Sequence, residues 1–179
     1  METLMTSTGN ITVLIVEDYP AVAKMLGECA SGAGCNVLQA TGISEALQLI
    51  DQADILFLDW KLNDGNAGPV LAEWIARRRG PLLIVTGVLD RQECEQLLIA
   101  GASHAIIKPI TVELTLTLLR RYCLEVEAQR RAASLDEQIA ELRKSNKRLQ
   151  YGLVATSVIA LIGAGPQAGE LIRLAISLF

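Results

Sequence analysis

Ile55-Leu56-Phe57-Leu58-Asp59 is an apolar run that ends on a carboxylate. A short run with no polar position reads as a strand buried on both faces, the central strand of a parallel sheet. Four more runs repeat the pattern, over residues 12–16, 36–40 (the weakest), 81–85 and 104–107. The stretches between them carry helix punctuation. Pro20 can open a helix without losing a needed N–H, and Gly32 and Gly34 stop it. Ser44, with Glu45 in the first turn, predicts a capped helix through Ile50. Leu71, Trp74 and Ile75 fall at i, i+3, i+4 on a helix that ends at Arg77, Arg78, Arg79 and Gly80. A fourth helix through Glu93, Leu97 and Leu98 stops at Gly101, and residues 63–68 read as loop by composition. Five strands alternating with helices give an α/β domain built on a five-stranded parallel sheet.

Ligands of open parallel sheets bind beyond the carboxyl ends of the strands. Four of the five runs deliver a polar group there: Glu17-Asp18, Asp59, Thr86 and Lys108. In a parallel sheet these share one rim. Three carboxylates brought together repel, and one is protonated unless a cation joins them. The set is all oxygen, with no histidine or thiolate, which suits Mg²⁺. An ammonium and a hydroxyl beside a metal-bound carboxylate supply what an incoming phosphoryl group needs, charge neutralisation and a hydrogen bond.

Residues 11–121 resemble the receiver domain of two-component response regulators. The resemblance rests on an ordered set: Val-Glu-Asp after the first strand, Leu-Asp after the third, Thr-Gly after the fourth, Lys-Pro after the fifth. It implies a flavodoxin-like sheet of order 2-1-3-4-5. It also implies that Asp59 accepts a phosphoryl group from a histidine kinase or phosphotransfer protein. Glu17, Asp18, Asp59 and the backbone carbonyl of Lys61 would hold Mg²⁺, while Thr86 and Lys108 would contact the phosphoryl oxygens. The implied activity is phosphotransfer and autodephosphorylation within a signalling domain, not an enzyme acting on a separate substrate. The family's Lys-Pro bond is typically cis. Its usual aromatic residue three positions before that lysine is replaced here by Ala105.

The rest of the chain is organised differently. From Thr111 onward no glycine or proline appears for about forty residues, which predicts one long helix. Leu135, Ile139, Leu142, Asn146, Leu149 and Leu153 step by 4, 3, 4, 3, 4, the seam of a coiled coil. A buried asparagine fixes register, so residues 122–150 read as a dimerisation helix, with a parallel homodimer formed through about 125–153. Residues 151–179 read as a short apolar helical hairpin with its turn at 163–166. Two such hairpins would form a small bundle; a membrane-interface hairpin behind the basic cluster Arg143, Lys144, Lys147 and Arg148 is the other reading. Residues 1–10 are polar, read as disordered and carry no signal-peptide core.

Net charge is −4, which argues against nucleic acid as a partner. Four scattered cysteines without a Cys-x-x-Cys pair point to a reducing cytosol, with the tail peripheral to a membrane in the second reading. The arrangement is also similar to the RNA-binding antiterminator regulators, although the end segment is short and poor in cations after Arg148. A phosphorylation-switched dimer, an RNA-binding regulator of that type and a membrane-associated scaffold are therefore the three functional readings.

Overall fold

The computed structural model describes residues 11–77, 80–87 and 91–163. Strand β1 (Thr12–Val16) leads to α1 (Pro20–Gly32), β2 (Asn36–Ala40), α2 (Ile43–Leu49) and β3 (Ile55–Asp59). A two-stranded ribbon follows, β4 (Lys61–Leu62) with β5 (Gly65–Asn66), then α3 (Gly68–Ala76), β6 (Leu82–Thr86), α4 (Arg91–Ala100), β7 (His104–Ile107) and α5 (Val112–Gly163). The main sheet is parallel throughout, in the order β2-β1-β3-β6-β7. Counting main-sheet strands alone, this is the expected 2-1-3-4-5.

Burial follows from that order. Every residue of β3 and β6 is buried, whereas edge strands β2 and β7 are only partly covered. Alternate side chains feed two cores. On one face Val13, Ile15, Ile55, Phe57 and Val85 meet α1 and the first turns of α5; on the other Leu14, Leu56, Leu58 and Ile84 meet α2, α3 and α4. Each buried large aliphatic stabilises the fold by about 1.5–3 kcal/mol, and the two layers hold the strand ends in fixed register. Trp74 anchors α3: it is buried, and its indole N–H donates to the Gly80 carbonyl at 2.8 Å. A Cβ at Gly80 would collide with the Asp54 carbonyl, so glycine is required where the chain turns into β6. Cys29, Cys35 and Cys123 lie in the α1/α5 core, with the Cys35 and Cys123 sulfurs 3.5 Å apart. All four cysteines are free thiols.

Two local expectations change. Residues 63–68 do not form an open loop, because Lys61 and Leu62 pair with Asn66 and Gly65 across an Asn63-Asp64 turn. Gly65, at φ +139°, takes a backbone conformation that side-chain-bearing residues rarely adopt. Nor does Ser44 cap α2. The helix starts at Ile43 after Gly42, and the cap comes from the ribbon, where Asp64 Oδ2 accepts the Ile43 N–H at 2.8 Å. Asp64→Ala removes that acceptor and should cost about 1 kcal/mol, seen as a thermal midpoint several degrees lower. An unchanged midpoint would mean that water replaces the cap at no cost.

The chain divides into two compact units, Met1–Gln129 and Arg130–Phe179. α5 runs unbroken to Gly163, so the heptad stretch and the start of the apolar segment form one helix. The 1–10 segment and residues 164–166 of the expected turn, together with the second half of the hairpin beyond it, lie outside the described residues; Gly163, the first residue of that turn, is the last of α5. Among the described residues, no helix is long and apolar enough to cross a membrane.

Candidate functional site

All the strand-end groups arrive at one rim because the five strands are parallel. β1 ends at Val16, and its ladder continues one step as the Glu17 N–H donates to Ala40. Glu17 is thereby turned inward and buried, with Asp18 half-buried beside it. Asp59 is the last residue of β3 and only 6% exposed, a carboxylate at the end of a strand with no other polar atom in its side chains. Thr86, ending β6, is fully buried. Lys108 follows β7, where its N–H bonds the Thr86 carbonyl at 2.7 Å, and the Lys108-Pro109 bond is cis.

The side chains close on one another. Lys108 Nζ donates to both Glu17 oxygens, at 3.0 and 2.8 Å, and to Asp59 Oδ2 at 2.6 Å. The other Asp59 oxygen accepts the Lys61 N–H at 3.1 Å. Glu17 Oε1 also accepts the Tyr19 N–H at 3.3 Å. One carboxylate oxygen from each of Glu17, Asp18 and Asp59 lies within 4.8 Å of the others. Among the described residues, three carboxylates therefore face one bonded ammonium, and the cluster is short of positive charge.

Burial pushes the Glu17 carboxyl above its ordinary range. The Lys108 hydrogen bond opposes that rise and the Asp59 charge adds to it. For Lys108, burial pulls the ammonium down, but the hydrogen bonds to Asp59 and Glu17 win and hold it above the usual lysine value. Both shifts have one origin: anionic charge held in a partly desolvated place.

The donors suit a hard cation. Mg²⁺ takes oxygen ligands at about 2.0–2.1 Å, so two ligands of one ion are at most about 4.2 Å apart. A 4.8 Å upper limit fits if one carboxylate rotates slightly or binds through a retained water, which Mg²⁺ commonly keeps. Lys61, expected to offer its carbonyl, stands beside the site with its backbone N–H donating a hydrogen bond to Asp59 Oδ1. Among the described residues, a Cβ built at Gly87 would meet nothing within 4 Å.

One contact has no signal in the sequence. The Asn63 N–H donates to Asp18 Oδ2 at 2.7 Å, tying the ribbon turn to the acidic pair. A backbone donor leaves no residue-type signature, and only knowledge of the ribbon could have revealed it. Ala105 and His104 sit on β7, both half-buried.

Comparison with known proteins is consistent with this geometry. Residues 13–120 match the family model of the response regulator receiver domain. The transcriptional regulatory protein VxrB of Vibrio cholerae is 32% identical over 98 residues, which cover 55% of this chain and 40% of that protein. A cyclic di-GMP phosphodiesterase of Thermotoga maritima is 29% identical over 106 residues, 58% of this chain and 28% of its own length. The chain thus spans less than half of either relative, and what these two share with it is of receiver length. Among solved structures, a CheY-like receiver domain protein from Methanospirillum hungatei superposes with a TM-score of 0.61 at 25% identity, over 66% of this chain and 98% of that one.

Proposed function

The chain belongs to the response regulator receiver domain family of two-component systems, and on that premise we propose that it is switched by transfer of a phosphoryl group onto Asp59. The observation that carries this reading is the environment of the Asp59 carboxylate. It is held at one oxygen by the Lys61 N–H and at the other by Lys108, at the open edge of the sheet. In the reaction an Asp59 oxygen attacks phosphorus, the bond from phosphorus to the donor's imidazole nitrogen breaks, and the imidazole leaves with its electron pair. Mg²⁺, when bound, offsets the charge that gathers on the phosphoryl oxygens. Glu17 and Asp18, with Asp59 and the Lys61 carbonyl, would hold it. Lys108 would exchange Asp59 Oδ2 for a phosphoryl oxygen, and the Thr86 hydroxyl would donate to another. The donor is a histidine kinase or phosphotransfer protein. The test is the intact mass of the full chain after incubation with acetyl phosphate. One added phosphoryl group is expected with Mg²⁺ and none after chelation; an unmodified chain in both arms would remove the proposal.

The same reading gives the chain a parallel homodimer through residues 125–153, to which the switch would be coupled. Ile139 and Asn146 occupy the a positions, and Leu135, Leu142 and Leu149 the d positions, the combination that favours two strands. Ile139 is 45% exposed and Leu142 70%, an apolar seam that no other described residue buries and that a second copy would cover. Ile139→Asp should convert a dimer to a monomer in light scattering without altering the receiver's own unfolding transition. Equal masses for wild type and variant would dismiss the coiled coil.

A further inference from the structure

Acidic residues stop at Glu141, and the next is Glu170. Between them come Arg143, Lys144, Lys147 and Arg148, and then no charged residue from Leu149 to Gly169. This reverses the sign of a chain whose net charge is −4. The four cations are exposed and lie on α5 at i, i+1, i+4, i+5, an arc of about 140° at 3.6 residues per turn. Ile139, Leu142, Asn146, Leu149 and Leu153 fall on the other side of the helix, so dimerisation through that seam leaves the cations facing outward. Tyr151, 73% exposed, lies within the cationic arc one turn nearer the helix end.

Beyond this collar the same helix turns apolar. Leu153 and Val154 are 68% and 61% exposed, although Val154 lies outside the seam. Ser157 donates its hydroxyl hydrogen to the Leu153 carbonyl at 2.8 Å, so its donor is satisfied within the helix and needs no water. Residues 152–163 extend roughly 18 Å at 1.5 Å per residue, little more than half of a hydrocarbon core of about 30 Å. That length can enter one leaflet and cannot span both.

We propose that the end of α5 is a membrane-docking element whose partner is a bilayer carrying anionic headgroups. Arg143, Lys144, Lys147 and Arg148 meet the lipid phosphates, and residues 152–163 enter the acyl layer of the near leaflet. Tyr151 sits at the boundary, where its ring is apolar and its hydroxyl wet. Nucleic acid would use the cations but leave the adjoining uncharged segment without a partner. Bilayers use both. The inference does not depend on phosphorylation of Asp59.

The test is co-sedimentation of the full chain with vesicles of phosphatidylcholine alone and of phosphatidylcholine with phosphatidylserine. Wild type is expected to pellet with the anionic vesicles, to stay in solution with the neutral ones, and to be released by added salt. Replacing Arg143, Lys144, Lys147 and Arg148 together by glutamine should weaken anionic binding at least about tenfold. Val154→Glu should weaken it while leaving the collar intact. None of these positions is in the seam, so an unchanged oligomer size verifies folding of each variant. Equal pelleting with both vesicle types, or wild-type pelleting by the glutamine variant, would overturn the proposal. So would no pelleting with either vesicle, whether the chain is then a particle larger than a dimer (apolar ends packed on one another) or binds RNA in a salt-dependent way.

Discussion

Asp59→Asn is expected to leave the chain unmodified by acetyl phosphate with Mg²⁺ and, in metal-free buffer, to unfold at a higher temperature than wild type. The first effect is chemical: an amide oxygen is too weak a nucleophile to take the phosphoryl group. The second follows from the charges at the rim, where Glu17, Asp18 and Asp59 lie together and, among the described residues, the ammonium bonded to Glu17 and Asp59 is that of Lys108. Asparagine keeps one oxygen, which can still accept the Lys61 N–H while its NH₂ turns toward the Lys108 side, and it removes one of the two buried negative charges. Lys108 retains both of its contacts with Glu17. Relief of the repulsion that helps raise the Glu17 carboxyl is therefore expected to outweigh one lost ion pair, by about 1 kcal/mol. Added Mg²⁺ should reverse the ranking, since binding to the folded form alone stabilises it and wild type offers the fuller ligand set. Thermal unfolding with Mg²⁺ and with chelator decides it. A variant less stable than wild type in chelator would show that the Lys108–Asp59 pair outweighs the crowding of carboxylates.

What the sequence revealed and what it hid divide along a physical line. Glu17, Asp59, Thr86 and Lys108 can be placed together from the order of residues alone, because each follows an apolar run and parallel strands put their ends on one rim. The order of those strands needed the family resemblance, since hydrophobic patterning says that strands are buried but not which are neighbours. The length of α5 is legible in the absence of breakers. Ribbon pairing is not: Asn63, Asp64 and Gly65 announce a turn whether or not the residues flanking it are hydrogen-bonded. Ser44 misleads for a related reason. It is a good local cap, but Asp64, distant in sequence, reaches the first helical N–H instead, and the helix starts two residues earlier. Contacts made by backbone donors, such as the Asn63 N–H on Asp18, are silent in sequence altogether.

Lys108→Ala should be the most destabilising single change at the rim. Glu17 and Asp59 are both buried, and the ammonium is the cation that both of them contact. Breaking a buried pair costs about 3–5 kcal/mol. Because the Lys108 side chain is 23% exposed and water can enter the gap, about 2–3 kcal/mol is the better expectation, near 10 °C in thermal midpoint. Two conditions should return part of that loss. Mg²⁺ supplies the missing positive charge, so the variant should gain more from it than wild type does. Acid is the other. The Glu17 carboxyl binds its proton more tightly folded than unfolded, a preference that losing Lys108 strengthens, so stability contributed by protonated Glu17 is present at low pH and lost as pH rises through the folded value. The variant's deficit should therefore be smaller at about pH 5 than at about pH 8. Wild type has an alkaline loss that the variant lacks, as pH rises above the ordinary lysine value of 10.5 and through the higher folded one. Denaturant unfolding at about pH 5, at about pH 8 and above the lysine value of 10.5, with and without Mg²⁺, measures all of this. A deficit below about 0.5 kcal/mol at neutral pH would mean that Lys108 does not hold the two carboxylates in solution.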